Sequence, residues 1–447
     1  MTNNFTIGER IRANANLEDK RYDGLFGIIT NVMGNEVCVS FEWPQRVVRR
    51  NKLIEAFPQL KGKTETDYPF CLEDVMLPFD GVNSLQTVTV EATAFLNAIT
   101  KASKALAKSS VPTLENVRIL FDGKSCIITG SNLEHWLEME IPASGGTLEI
   151  VPRDTNMLIK ACKHFKEDIV FAGYPHDDTF ALTSGSKSAT QTCYPDEAYP
   201  ETPALEETVS YKVNAKTLFD RIGKISYATS KSDNRPVYRS ICFADNRVAA
   251  CDGYRLAVNQ NASLAVEDKF LLLLQSLKLL DTFGNDEIQM DVSAKHVRFS
   301  GPMQDVQLCI RKVEGEFPNL ERIIPKDSDI KEVYGVKVSE YIDELKYLKD
   351  MMAKGKKEYV KFDSGKLSIL TERGEFSAKV TLDGDADIVY GFNGDYVIDA
   401  LNHLKESKNI EIKVTGKSSA FILTGNGADL ALVLPVRMNE DVRQKAA

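Results

Sequence analysis

The stretch NAKTLFDRIGKISYATS (214–230) has apolar residues at helical spacing, and its pattern occurs three times in the chain. ATAFLNAITKASKALA (92–107) precedes it and SEYIDELKYLKDMMAKG (339–355) follows it, with starts 122 and 125 residues apart. A second helical pattern trails each one: RDTNMLIKACKHFKED (153–168), LLLLQSLKLLDTFG (271–284) and NGDYVIDALNHLKESK (393–408), starting 118 and 122 residues apart. Between them lie alternating segments cut by Asp, Asn and Gly turns, such as VRILFDGKSCIITGS (117–131) and SICFADNRVAACDGYRLAV (240–258). A period of about 120 residues is too long for a solenoid unit. It predicts an α+β chain of three tandem domains, each a sheet backed by two helices.

Working outward, residues 86–205, 206–326 and 327–438 are the three expected domains, and 439–447 is a tail. Residues 1–55 do not join the repeat; their short strands and glycine turns suggest a small β-rich, SH3-like module. Residues 56–85 carry three prolines and little periodicity, which predicts a linker.

At 447 residues the chain exceeds a single core. Its net charge of −9 argues against a globally basic nucleic-acid binder. No apolar run reaches the ~18 residues of a membrane span, and MTNNFTIGERIRANAN lacks the apolar core of a signal peptide. Eight cysteines, none in a C-x-x-C pair, read as reduced thiols of a cytoplasmic protein.

The helices run against this acidic balance. Lys101, Lys104 and Lys108 mark the first, Arg153, Lys160, Lys163 and Lys166 the second, and Lys216, Arg221, Lys224 and Lys231 the third. Lysines commonly solvate an exposed helix face. Repeated over several helices, the bias predicts a positive cavity that takes a phosphate backbone without reading sequence. Six helices, each about 10 Å wide, would close a ring with only about 9 Å free. Twelve leave nearly ~30 Å, enough for a duplex about 20 Å wide. A head-to-tail dimer is therefore expected.

The repeat and its key segments resemble the bacterial DNA polymerase III beta subunit, or sliding clamp, family. NRPVYRSICFADNRVAACDGYRLAV (234–258) is similar to its second-domain signature, and VEGEFPNLERIIP (313–325) to its linker into the third domain. YGFNGDYVIDALNHL (390–404) and LALVLPVRM (430–438) resemble its last helix and closing strand. The resemblance spans about residues 86–438. It implies three DNA-clamp domains with sheets outside and two helices each inside, and no bond chemistry or cofactor.

It also implies a pocket for a short peptide carried by the replicative DNA polymerase, the clamp loader and other proteins with a clamp-binding motif. The matching positions are Cys251, Gly253, Tyr254, Arg255 and Leu256 on the hairpin, and Pro318, Arg322 and Ile323 on the linker. Ser419, Leu434, Pro435, Val436 and Arg437 match on the third domain. Apolar residues would floor the pocket, while arginine heads bond peptide carbonyls or a glutamine. Lys101, Lys104, Lys108, Lys160, Lys163, Arg221, Lys224 and Arg235 are the expected contacts to double-stranded DNA. Two departures stand out. Cys251 replaces a threonine, and Lys417 falls where an apolar residue is common.

The alternatives are a DNA-processing enzyme on a similar scaffold and a homologue acting as recruiter or decoy. Gly123-Lys124-Ser125 and Gly416-Lys417-Ser418 resemble phosphate-loop ends, but Arg118 and Glu411 stand where the leading glycine is needed, so both read as hairpin turns. Five histidines show no metal spacing beyond Cys162-x-His164, whose side chains diverge on a helix.

Overall fold

The computed structural model describes residues 85–438 except 175–176, 195–198, 233–234, 261–265, 267–268, 353–358 and 426–428, and, before residue 85, the backbone of four strands. Those four, Arg10–Arg12, Phe26–Met33, Glu36–Phe41 and Asp67–Cys71, form an antiparallel sheet in that order. The last falls inside the expected linker, which is thus corrected. Pro69 is compatible with the strand's place at the sheet edge, where proline is found. The rest of the expected SH3-like module and the tail 439–447 lie outside the described residues.

The chain divides into two compact units, one of residues 1–97, 118–127 and 141–198, the other of 98–117, 128–140 and 199–447. In the first, Lys187–Thr192, Thr179–Ser184, Ile169–Gly173 and Gln86–Val90 pair in order, and Gln86–Val90 continues onto residues 143–145 of the strand His135–Gly145. Phe95, Phe121 and Phe180 surround Phe171, with ring centroids 5.0, 5.1 and 6.3 Å away. The helix Thr155–Cys162 starts where Asp154 accepts the Met157 N–H at 2.8 Å, the N-cap role its side chain suits.

In the second unit a nine-stranded sheet runs Phe270–Leu273, Ser240–Ala244, Arg247–Cys251, Arg255–Gln260, Asp429–Val433, Phe421–Thr424, Asn409–Val414, Glu332–Lys337, Leu382–Asp383. A four-stranded sheet runs Gly374–Lys379, Lys366–Thr371, Val360–Asp363, Tyr390–Phe392. No helix among the described residues is long and apolar enough to cross a membrane.

The repeat is sharper in three dimensions than in the sequence. The helices Ala92–Ala102, Ala215–Ile225 and Val338–Met351 start 123 residues apart each time. They bury the same positions: Phe95, Ile99 and Ala102, then Leu218, Ile222 and Ile225, then Tyr341, Leu345 and Leu348. The second helical segments bury Leu158, Ile159, Cys162 and Phe165, then Ser276, Leu277, Leu280 and Phe283, then Val397, Ile398, Leu401 and Leu404. The middle one departs from expectation. Residues 270–273 are a strand, followed by one α-turn, Leu274–Leu277, and the 3₁₀ segment Lys278–Phe283. An unbroken apolar run does not distinguish strand from buried helix, and here its first part completes a sheet edge.

Repeats within the second unit are joined by strand pairing. Residues 135–139 pair antiparallel with Val306–Arg311, from His135 opposite Ile310 to Met139 opposite Val306. Arg255–Gln260 pairs with Asp429–Val433 in the same way, from Arg255 opposite Val433 to Asn259 opposite Asp429. His135 is a buried polar pin at the first junction, 2% exposed. Its Nε2–H donates to the Ala105 carbonyl at 3.0 Å, and Nδ1 lies 2.8 Å from the Ser276 hydroxyl, which donates to it when the ring is neutral. Burial pulls its pKa down to about 4.

A depressed pKa means that the unfolded chain takes up the proton first. The stability this ring contributes is complete above pH ~6.5 and is lost as pH falls toward 4, by up to about 3 kcal/mol at ~1.4 kcal/mol per unit. Urea unfolding at pH 7.5 and pH 5 should show about 2 kcal/mol of this drop in the wild type and a smaller one in His135→Gln. Equal drops would show that the ring does not titrate this way.

Candidate partner-binding site and nucleic-acid interface

The hairpin of Arg247–Cys251 and Arg255–Gln260 turns through Asp252-Gly253-Tyr254. Asp252 Oδ1 accepts the N–H groups of Tyr254 at 2.9 Å and Arg255 at 3.0 Å. Gly253 has φ +91°, which a Cβ would strain. The turn brings Arg255 back along its own hairpin, where Nε donates to Asp252 Oδ2 at 3.0 Å.

Nη1 of Arg255 reaches Asp399 Oδ2, on the helix Gly394–Leu404, at 2.7 Å. Its guanidinium lies 4.4 Å from the Tyr396 ring centroid and 5.4 Å from that of Tyr227. With 7% exposure and both ends engaged, the head is not free for a peptide carbonyl. Arg255 thus pins the hairpin to the next repeat. It occupies the strand position that His135 holds one repeat earlier, since each opens the pairing at its junction.

Leu256 is buried in a cluster with Cys251, Leu271, Phe317, Ile422 and Leu432. Val237, Tyr238, Leu320 and Ile323 pack on it, half-buried. Burial raises the Cys251 pKa, while the Gly253 N–H donating to Sγ at 3.3 Å opposes this. The protonated thiol is thus an apolar wall. Above this floor the chain presents an apolar shelf. Tyr254 is 63% exposed, Leu434 40% and Val436 38%. Backbone bonds hold it: the Leu434 N–H donates to the Tyr254 carbonyl at 2.9 Å and the Val436 N–H to that of Gly391 at 2.8 Å. Pro435 is half-buried and Arg437 exposed. Ser419, exposed, lies in the loop before Phe421–Thr424 beside the equally exposed Lys417.

On the linker, Asn319 Oδ1 accepts the N–H groups of Glu321 and Arg322 at 3.0 and 3.3 Å, shaping the turn Leu320–Ile323. A cavity of about 840 Å³ opens beside it, lined by Pro318, Arg322 and Ile323 together with Lys269, Phe270 and Phe317. It includes no expected residue from the hairpin or from 434–437. The expected set is therefore split between a linker cavity and an apolar shelf. Ile323 touches both the cavity and the cluster beneath the shelf.

The basic residues also divide. Lys101 Nζ donates to the Thr282 carbonyl at 3.3 Å, Lys104 lies 3.6 Å from Asp281, and Lys224 lies 3.1 Å from Glu406 and 3.8 Å from Asp429. These three, expected on DNA, bind the end of the next repeat's second helical segment or its last hairpin. Arg221 is half-buried in the field of Asp429. Lys108, Lys160, Lys163 and Arg235 are exposed, with the Arg235 guanidinium 5.6 Å from the Tyr238 ring centroid. Lys231, outside the expected contacts, is exposed 123 residues after Lys108, at the same position of the repeat, and Lys354 follows 123 later in the sequence. That equal spacing was legible in the sequence.

Both phosphate-loop-like tripeptides sit in turns. Gly123 has φ +96°, and Asp122 accepts the N–H groups of Lys124 and Ser125 at 2.8 and 2.7 Å. Gly416–Ser418 links Asn409–Val414 to Phe421–Thr424. Among the described residues no three His, Cys, Asp or Glu side chains form a group suited to a metal.

No family model matches the chain. Among curated proteins it is similar to the beta sliding clamp of Halalkalibacterium halodurans, 25% identical over 384 residues that cover 78% of this chain and 98% of that protein. It is 23% identical over 381 residues to the beta sliding clamp of Staphylococcus epidermidis, with the same coverage. Among solved structures, the DNA polymerase III beta subunit of Thermotoga maritima aligns at a TM-score of 0.69 and 26% identity, covering 79% of this chain and all of that one. A putative DNA polymerase III beta subunit from Eubacterium rectale has the same fold, with a TM-score of 0.70 at 16% identity. Across these relatives the repeated sheet-and-helix architecture coincides and about a fifth of the chain is left over, which identifies a relationship to the DNA polymerase III beta sliding-clamp family.

Proposed function

We propose that this chain is a processivity clamp: two copies close head to tail around duplex DNA, and the shelf at Tyr254, Leu434 and Val436 tethers a DNA polymerase. Beta sliding clamps are non-catalytic scaffolds, so the work is topological. The proposed domains are residues 86–205, 206–326 and 327–438, with their helices lining the hole and their sheets outside.

One observation carries the ring. Val306–Arg311 and Asp429–Val433 each pair on both sides, while their counterpart in the first repeat, Lys187–Thr192, pairs only with Thr179–Ser184 among the described residues. Residues 135–139 and Arg255–Gln260 supply those partners, while their counterpart in the third repeat, Gly374–Lys379, pairs only with Lys366–Thr371 among the described residues. One edge of each junction type is thus left over at opposite ends of the repeat. Exposed edges seek strands, and a second copy offers the missing ones.

Carrying over the register of the internal junctions puts Gly374 opposite Gln191 of the partner subunit and Phe376 opposite Ala189 of the partner subunit. Phe376, Ala378, Ala189 and Gln191 are the half-buried positions of their strands, so the inward faces meet, as the pleat requires.

DNA contacts are assigned to lysines at one repeat position of the sequence, Lys108, Lys231 and Lys354, with Arg235 and Lys160. Such contacts position the duplex without reading it, which permits sliding. The proposed partners are the replicative polymerase, a clamp loader and other proteins presenting a short clamp-binding peptide.

Three outcomes are expected. Paired strands hold facing Cα atoms about 5 Å apart, within disulfide reach. Ser188→Cys with Ser377→Cys should therefore oxidise to a covalent dimer that stays on nicked circular DNA and leaves when the DNA is linearised. Monomeric product, or retention indifferent to linearisation, argues against the ring. Replacing Lys108, Lys231 and Lys354 by alanine should reduce the salt slope of DNA binding by about 2–3, near 0.9 per phosphate contact. An unchanged slope removes them from the interface. Leu434→Ala should weaken a labelled polymerase-tail peptide about tenfold and leave the melting temperature unchanged. Arg255→Ala should lower the melting temperature, because it strands Asp252 and Asp399 at a partly buried pin. The reverse pattern would exchange the two roles.

A further inference from the structure

The two junctions inside the chain use the same first-helix position and one of two adjacent positions on the second segment. The thirteenth residue of each first helix, counted from Ala92, Ala215 and Val338, is Lys104, Tyr227 and Asp350. Aligned on their buried positions, the second helical segments carry Lys163, Asp281 and Asn402 at one site and His164, Thr282 and His403 at the next. At the first junction Lys104 faces Asp281 at 3.6 Å. At the second, Tyr227 stacks on His403 with centroids 4.6 Å apart and planes 16° apart.

We infer that the junction between two copies carries the first junction's ion pair with its charges exchanged, Asp350 of one copy against Lys163 of the partner subunit. This rests on the head-to-tail ring proposed above.

The surroundings favour it. Asp350 and Lys163 are both exposed. On its own helix Asp350 neighbours Lys346 and Lys349, and Lys349 is held by an ion pair to Asp395. The opposing segment presents Lys160, Lys163, His164 and Lys166 against Glu167 and Asp168, a balance that still favours an acid. Tyr347 and Met351 flank Asp350 at 42% and 36% exposure, and Met157 on the opposing helix is 51% exposed, which supplies apolar contact around the pair.

The strand pin is also missing from this junction. Where His135 and Arg255 open the two internal pairings, the third repeat has Gly374, with φ +135° and open space where a Cβ would point. Without a side chain there, polar matching at this junction falls to the helix ends. The exchange also sorts the junctions. A first-repeat helix docked in the wrong place would set Lys104 against Lys163, and a third-repeat helix would set Asp350 against Asp281. Like charges facing each other reject both. The assignment takes Lys163 out of the DNA-facing set.

The test is a charge exchange in trans. Asp350→Lys and Lys163→Asp each place like charges at both junctions of their own homodimer, and each should raise the dimer dissociation constant at low salt at least about tenfold. Mixed in equal amounts, the two variants can form only one dimer in which both junctions are complementary. With a mass tag on one variant, native mass spectrometry should show the heterodimer predominating, with an affinity close to that of the wild type. Each variant's far-ultraviolet circular dichroism and melting curve would establish that it folds. A 1:2:1 mixture with wild-type affinity in every dimer overturns the ion pair and leaves the ring intact. A wild type that is monomeric at micromolar concentration overturns the ring and the ion pair with it.

Discussion

A β-sheet ends in a row of backbone N–H and C=O groups that must find partners, and in this chain that requirement organises everything else. Residues 135–139 take Val306–Arg311 as their partner, and Arg255–Gln260 takes Asp429–Val433. Each pairing crosses from one repeat into the next, so a sheet begun in one is completed by the other. The helices start every 123 residues and bury the same three positions, because each must cover the same kind of paired surface. The unpaired edges left in the first and third repeats are where the proposed ring closes.

Strand pairing alone is nearly indifferent to which strand pairs with which, and side chains at the start of each junction supply the discrimination. His135 does so as a neutral ring between a hydroxyl and a carbonyl. Arg255 does so as a cation between two carboxylates and two aromatic faces. The two pins differ in chemistry, so neither would be satisfied in the other's place. This division of labour explains how a fold can persist at 23–26% identity to its relatives. The buried apolar positions need only size and phase, whereas the pins can change type as long as both partners change together.

At the candidate site the proposed docking surface rests on residues that serve stability. Leu256 and Cys251 belong to a core cluster, yet they lie beneath the shelf formed by Tyr254, Leu434 and Val436. Asp252 shapes the turn and holds Arg255, so the shelf is mounted on a rigid hairpin. A rigid apolar surface costs little entropy when a peptide docks.

Period and turn chemistry were legible in the sequence because they are local. Apolar spacing located the three first helices, and the small residues of Asp252-Gly253 and Gly123-Lys124 announced tight turns that the dihedral angles bear out. The run 271–284 misled because an apolar stretch suits a strand as well as a helix, and Asp67–Cys71 hid in a proline-bearing stretch that a sheet edge accepts. The lysines were read from charge and helix position, and Arg255 from the family resemblance, as cations free for DNA or peptide. Their true partners lie 144 residues away for Arg255 and about 180 for Lys101 and Lys224. Residue type and spacing thus settled the repeat, its turns and the family likeness. Which cations are occupied and which remain exposed was decided only by the tertiary structure, because a charge takes its role from the group that folding brings beside it.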